Sequence, residues 1–184
     1  TQFLSANAVH LLIGAMLIIG MVTIPLMANT VLGTDPLEGG LRLLRMTIAI
    51  PVGAVLGGIL TQRIEIRLPA AAGLILTAAG FYMMSRWDLA IADPTMTIHL
   101  AIAGFGFGLL ISPVPTAAMT PAMEGDRGAA SSLTTVSRML GMTFGLAAIT
   151  AWGTDHFNTL VADAPAFTSD PAIQAEISRL ASDA

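Results

Sequence analysis

The sequence predicts an all-α membrane protein with five transmembrane helices in a bundle, followed by a polar C-terminal tail. Hydrophobic residues make up 54% of the 184 residues and charged residues only 11%, too little polar side chain to cover a soluble globule of this size. The mean hydropathy is +0.77, and the charges lie in short runs between apolar stretches. Each stretch can cross a hydrocarbon core of about 30 Å. The net charge of −4 argues against a nucleic-acid partner, whose binding needs a basic face.

The transmembrane bundle is predicted over residues 1–161, and a polar tail or extramembrane loop over 162–184. Uninterrupted apolar runs set the approximate bounds of the helices, which are 7–32, 36–61, 68–85, 94–116 and 129–157. The chain begins at Thr1 without a leader of the secretory type, and we expect it to be an excerpt of a longer protein.

The first predicted helix carries His10, Pro25 and Asn29 as its irregular residues. Pro25 would kink the helix, and neighbouring helices can satisfy the carbonyl that it frees. We expect His10 to pack against a neighbour or to lie near the interface, with a substrate or proton ligand as the alternative. Asn29 is a candidate residue of a substrate cavity.

The second predicted helix opens at Asp35-Pro36, where Asp35 can cap the first turn and Pro36 suits the first helical position. Arg42 is expected near the interface, where it can snorkel. Arg45 lies about 13 Å into the helix by rise alone. A guanidinium at mid-bilayer costs at least about 2.5 kcal/mol, so Arg45 is a candidate for a cavity or a counter-ion role.

Glycines at helical spacing recur in three of the predicted helices. Small residues four apart let helices approach closely in lipid, where packing rather than hydrophobicity drives association. A phosphate-binding loop is rejected for the glycine run of the fourth helix, because it lies within an apolar helix and follows no strand. The candidate packing residues are Gly53, Gly57, Gly104, Gly108, Gly141 and Gly145.

The third predicted helix is apolar apart from Thr77, and we expect it to support the bundle rather than to line a site. Tyr82, Arg86 and Trp87 follow as an interfacial anchor, because amphipathic rings prefer the headgroup level. His99, in the fourth helix, is interpreted in the same way as His10.

The fifth predicted helix carries a polar stripe at i, i+3/4 and i+7 spacing, formed by Ser131, Thr134 or Thr135, Arg138 and Met142. Arg138 lies about 15 Å from the helix start, near the expected bilayer centre. A charge at that depth normally faces a bundle interior or a cavity. Arg138, Thr135 and Met142 are therefore candidates for a substrate cavity or, for Arg138, a structural ion pair.

Enzyme and cofactor functions find little support. The chain has no cysteine, and no metal-ligand spacing, phosphate loop or Ser/His/Asp order is present. The polar cluster at 155–158 lies at a predicted helix end, where solvated capping is the simpler interpretation. We therefore predict no enzyme, no metal and no cofactor.

Three stretches resemble a known transporter family. The run NTVLGTDPLEGGLRLL at 29–44 resembles Q-x-V-L-G-x-S-P-L-x-A-G-L-x-L-L of the major facilitator superfamily, in its fourteen-helix drug:proton antiporter branch. The segment from Gly58 to Arg67, with Arg63, resembles the cytoplasmic loop motif G-x-L-x-D-R-x-G-x-R. Gln62 and Glu65 depart from that motif. The segment 128–145 also resembles the G-x-A-S-x…R-Q-L-G-x-x-x-G pattern of this branch.

The resemblance implies the C-terminal half-bundle, less its last helix, of a secondary active transporter in a bacterial cytoplasmic membrane. It implies proton-coupled efflux of drugs or other amphipathic small molecules by alternating access, with the missing N-terminal half as the structural partner. None of the acids falls near a helix centre, so the proton-carrying acid is expected in that half. An importer or lipid transporter of the same superfamily, and a non-transporting membrane scaffold, are the alternatives.

Overall fold

The computed structural model describes residues 2–88, 91–111 and 127–163, together with 171, 173, 175 and 179. These residues form helices joined by turns and contain no strand, so the predicted all-α fold is confirmed. The predicted helix end at 112–116, most of the connection from it to the fifth predicted helix and most of the tail lie outside them. The helices are α1 (Gln2–Thr30), α2 (Pro36–Thr61), α3 (Arg67–Met84), α4 (Asp93–Ile111) and α5 (Arg127–Asp163).

Four of these helices, α1 to α4, are long and apolar enough to cross a membrane. The fifth, α5, has 37 residues, or about 55 Å at 1.5 Å per residue. It continues past the predicted end at residue 157, because helical hydrogen bonding does not stop where the apolar pattern stops. The hydroxyl side chains and Arg138 in its first half explain why its hydropathy is lower than that of α1 to α4.

The start of α2 follows from its local sequence. The Asp35 side chain accepts a hydrogen bond from the backbone N–H of Leu37 at 3.0 Å, and Pro36 holds the first helical position. Gly33, with φ +62°, supplies the left-handed residue of the preceding turn. The chain therefore reverses direction between Thr30 and Pro36.

Helices α2 and α4 pack with their backbones in contact. A Cβ atom at Gly104 would collide with the carbonyl oxygen of Met46, and one at Gly108 with that of Ile50. Residue numbers rise together along this contact, so the two helices run parallel. The predicted packing glycines that lie here are Gly53, Gly57, Gly104 and Gly108.

Helices α1 and α5 pack in the same manner. A Cβ atom at Gly141 would collide with the carbonyl oxygen of Leu11, and one at Gly145 would lie 2.6 Å from the Cα atom of Ala15. The numbers again rise together, so α5 runs parallel to α1. In the described part of the chain, α1 is the main packing partner of α5.

The remaining contacts are antiparallel. Gly80 of α3 faces Ala103 of α4, whereas Gly73 faces Gly106 further along, so α3 and α4 run in opposite directions. Near its end, α1 also packs against the start of α2. Successive helices therefore alternate in direction, as a chain that crosses a membrane repeatedly requires.

The apolar core forms where α1, α2 and α4 meet. Ile24, Met46, Met96 and Leu100 make one buried cluster, and a second one includes Phe107. The third helix packs against the outer side of α4. Helix α4 is therefore the centre of the described bundle.

The α2–α4 contact generates a stability prediction. Gly108→Ala should lower the unfolding temperature of the full-length protein in detergent, because the new methyl group meets backbone atoms and overpacking costs about 1–3 kcal/mol. Gly40→Ala is the control, since a Cβ atom there meets nothing within 4 Å. Thermal melting by intrinsic fluorescence measures both, and equal melting temperatures would contradict the assigned contact.

Candidate functional site

Polar side chains gather in two clusters on different helix pairs. The α1–α5 cluster lies near the start of α1 and consists of Asn7, His10, Thr134, Ser137 and Arg138. The α2–α4 cluster lies at the beginnings of α2 and α4 and consists of Glu38, Arg42, Arg45, Asp93 and Thr97. Because α2 starts where α1 ends, the two clusters lie toward opposite ends of the bundle.

A hydrogen bond between side chains joins α1 to α5. The Ser137 hydroxyl donates to Oδ1 of Asn7 at 2.9 Å, and Nδ2 of Asn7 donates to the Phe3 carbonyl at 2.9 Å. Thr134, which is also buried, donates to the carbonyl of Ala130 at 2.8 Å. Polar atoms therefore cross the helix contact just where the glycine contacts begin.

His10 is buried beside that hydrogen bond, with 3% of its surface exposed. It lies between Asn7 and Gly14 on the face of α1 that meets α5. Within the described residues, neither ring nitrogen has a hydrogen-bond partner. This placement agrees with the interpretation of a histidine packed against a neighbouring helix, and its unpaired nitrogens are a local cost.

Arg138 is half-buried, and its carbonyl oxygen packs against Gly14. The described residues offer its guanidinium neither a hydrogen bond nor an ion pair. Its level corresponds to the early turns of α1, because Ser137 contacts Asn7. Its carbonyl oxygen meets Gly14, close to the middle of α1, and its depth in the membrane stays a prediction.

Only part of the predicted polar stripe of α5 lies within the contact with α1. Thr135 is half-buried, and its hydroxyl donates to the carbonyl of Ser131 at 3.1 Å. Met142 lines an apolar groove of about 630 Å³ that it shares with Ile18 of α1. Both residues lie at the edge of the helix contact, and their role in a substrate cavity stays a prediction.

Arg45 has a counter-ion in the structure. Its Nη1 forms an ion pair with Oδ1 of Asp93 and donates to the Thr97 hydroxyl at 2.8 Å. Its side chain is 30% exposed and that of Asp93 is 60% exposed. Of the two roles considered for Arg45, the geometry corresponds to the counter-ion, which ties α2 to the first turn of α4.

Arg42 faces the interior of the bundle rather than snorkelling outward. Its side chain is only 11% exposed, Nη2 donates to Oε1 of Glu38 at 2.7 Å, and Nη1 lies 3.5 Å from the sulfur of Met96. The physical reason is its position around the helix axis, because Arg42 lies on the same buried face of α2 as Gly53 and Gly57. The sequence could have predicted this burial, because Arg42 and the two glycines are separated by whole helical turns.

The remaining predicted residues are Asn29, near the end of α1, and the loop-motif residues between the last turn of α2 and the start of α3. The side chain of Asn29 meets Gly39, and its Oδ1 is buried with no hydrogen-bond partner within the described residues. Among the loop-motif residues, the carbonyl of Gly58 accepts from Thr61 and Arg63 is exposed. Exposed Arg67 forms an ion pair with Glu65 at 3.4 Å. A transport role for each of these residues stays a prediction.

The residues of the interfacial anchor predicted after α3 do not all face the same way. Tyr82 is exposed, with the Arg86 guanidinium 5.5 Å from its ring centroid and Nη2 of Arg86 donating to its hydroxyl at 3.2 Å. Trp87 instead turns inward, and its indole N–H donates to Nδ1 of His99 at 2.9 Å. The sequence could not predict this pairing, because it depends on how α4 is placed beside the end of α3.

The ion pair between α2 and α4 can be tested with a double-mutant cycle. Arg45→Gln and Asp93→Asn should each lower the unfolding temperature slightly, and the double variant should lose less than the sum. The coupling should be about 0.2–1 kcal/mol, because both side chains are partly exposed. Strictly additive losses in thermal melts would argue against the pair, and Arg63→Gln, in the exposed loop, is the matched control.

No family model matches the chain. The chain is similar to proteins named triacylglyceride transporter, with 40% identity over 166 residues in Mycolicibacterium hassiacum and 38% over 188 residues in Mycolicibacterium smegmatis. The protein of that name in Mycobacterium tuberculosis H37Rv is 36% identical over 171 residues. These matches cover 85%, 95% and 87% of this chain but only 31%, 34% and 33% of the relatives. The chain therefore spans about a third of the length of these membrane-transporter relatives.

Proposed function

We propose that the chain is part of a secondary transporter that moves neutral lipids of the triacylglyceride class by alternating access. The observation that carries this proposal is the match of most of the chain, at 36–40% identity, to proteins named for that activity. The resemblance to the major facilitator superfamily supplies the mechanism, rocking of two half-bundles around a central path. The lipid transporter, an alternative in the sequence analysis, thus becomes the leading function.

The chemistry of the described helices supports a neutral substrate. A triacylglycerol carries no charge, so its path needs apolar walls and few ionic groups. Most of the described acids lie at helix ends or in turns, as Glu38, Glu65 and Asp93 illustrate, and Asp155 is exposed in the last quarter of α5. The groove between α1 and α5 is lined by apolar and small side chains. A cationic drug would instead need a carboxylate within the path, and drug efflux is the second candidate only because of the motif resemblance.

Arg138 is the residue that we assign to the transport cycle. A half-buried guanidinium in a membrane helix needs a carboxylate or a water-filled cavity. The described residues supply no ion-pair partner, so we propose a carboxylate of the rest of the transporter, or the water of the central path. Such a contact can form in one state of the cycle and break in the other, and a proton on the carboxylate would couple the two.

Replacing Arg138 tests this assignment. Arg138→Ala in the full-length protein should abolish or strongly reduce transfer of a fluorescent triacylglycerol between donor and acceptor vesicles while membrane insertion is retained. Met139→Ala is the matched control, because the adjacent side chain is 60% exposed and lies on another face of α5. Unchanged transfer by Arg138→Ala would count against the assignment. Proton-driven export of a cationic dye without lipid transfer would favour drug efflux instead.

The location of the coupling acid gives a separate prediction. Neutralising Glu38, Glu65, Asp88, Asp93 or Asp155 one at a time should leave the pH-gradient dependence of transport intact. The first four lie at helix ends or in turns, and Asp155 is exposed in the last quarter of α5. Vesicle transport at imposed pH gradients measures this. Loss of the gradient dependence in any one variant, with lipid binding preserved, would place the coupling site within this chain.

A further inference from the structure

A small apolar pocket lies between α1 and α3, and it shares no residue with either polar cluster. Its volume is about 200 Å³. Ile24 and Met27 of α1 form one wall, and Phe81 and Met84 of α3 form the other. No charged side chain lines it, so the pocket offers an ionic ligand nothing to pair with.

Trp87 lines this pocket and is hydrogen-bonded to α4. Its indole N–H donates to Nδ1 of His99 at 2.9 Å, and the two rings stack at 6.4 Å with an interplanar angle of 17°. The indole also packs against the buried cluster that contains Met96. A tryptophan with its N–H satisfied presents only an apolar surface to the pocket.

The pocket lining includes exposed side chains on both helices. Its exposed lining residues are Thr23 on α1 and Ser85 at the end of α3. Leu26 (55% exposed) and Tyr82 (63% exposed) are nearby exposed side chains, and the Arg86 guanidinium lies against the ring of Tyr82. A hydrocarbon chain that enters between α1 and α3 would therefore move from the apolar bilayer into an apolar pocket.

The floor of the pocket depends on a small residue. Gly20 of α1 is buried there, and a Cβ atom at that position would lie 3.3 Å from Cζ of Phe81. A larger side chain would thus occupy the pocket itself. The pocket has room for about six to eight carbon atoms, because a dry cavity of about 150 Å³ holds the six carbons of benzene.

We propose that this pocket binds the end of one acyl chain of the transported neutral lipid. The proposal rests on the proposed function for the identity of the lipid. The narrow, uncharged pocket accepts one chain end, so the glycerol ester region remains outside, near the hydroxyl groups of Thr23 and Ser85. Trp87 then acts as the wall against which the terminal methyl group packs.

Photolabelling tests the site without relying on transport. The probe is a triacylglycerol with a diazirine at the end of one acyl chain, added to the purified full-length protein in detergent. Mass spectrometry of the peptides should locate adducts on Met27, Met84 and Trp87. Gly20→Leu should reduce the labelling of Met84 about tenfold, as expected when burial of two or more methylene groups is lost. Gly153→Leu is the matched control, since a Cβ atom there meets nothing within 4 Å.

A second variant keeps the test decisive if Gly20→Leu fails to fold. His99→Leu removes the acceptor that holds the indole, so labelling of Trp87 should fall while labelling of Met84 persists. Adducts elsewhere, or labelling that Gly20→Leu leaves unchanged in folded protein, would overturn the proposal. Equal labelling by a phosphatidylcholine with the same diazirine chain would also overturn it, because the pocket would then hold any bilayer lipid. Failure of lipid transfer with pocket labelling intact would count against the proposed function alone.

Discussion

Close backbone contact at glycines is the interaction on which this bundle depends. In lipid, apolar side chains gain little by exchanging acyl chains for another helix, so association relies on van der Waals contact over closely approaching surfaces. Gly104 and Gly108 provide this between α2 and α4, and Gly141 and Gly145 provide it between α1 and α5. Both pairs run parallel, and the antiparallel contacts with α3 complete an arrangement in which α4 is central.

The same close approach determines where polar groups can lie. A guanidinium does not fit between helices whose carbonyl oxygens meet the Cα atoms of the next helix, so charge is displaced to the ends of these contacts. Arg42 and Arg45 lie before the glycine contact of α2 begins, and each finds a carboxylate there. His10 and Arg138 lie at the start of the α1–α5 contact. Apart from Thr77, which is buried against Gly106, the middle of the described bundle is apolar, which suits a neutral substrate.

Periodicity and glycine spacing were sufficient to predict the helices and the packing surfaces, because both depend on local sequence. The distance of a residue from the helix end was a poorer guide to its burial than the face of the helix on which it lies. Arg42 shows this, because it lies near a helix end yet faces inward. The pairing of Asn7 with Ser137 joins residues 130 positions apart, and only the tertiary packing of α1 on α5 brings them together. Similarly, the inward turn of Trp87 depends on His99 of another helix. The continuation of α5 to Asp163 was missed because a polar run can still be helical.

The two inner arginines of the predicted site differ in one respect that bears on function. Arg45 has partners within the chain, Asp93 and Thr97, which join α2 to α4. The guanidinium of Arg138 has no such partner among the described residues, although it is half-buried in a helix of a membrane bundle. An unmatched charge in that setting is stable only beside water or an opposite charge. Under the function proposed above, we expect the face of α5 that bears Arg138 to meet the rest of the transporter or its aqueous path, and a change of state could be transmitted from this face to α1.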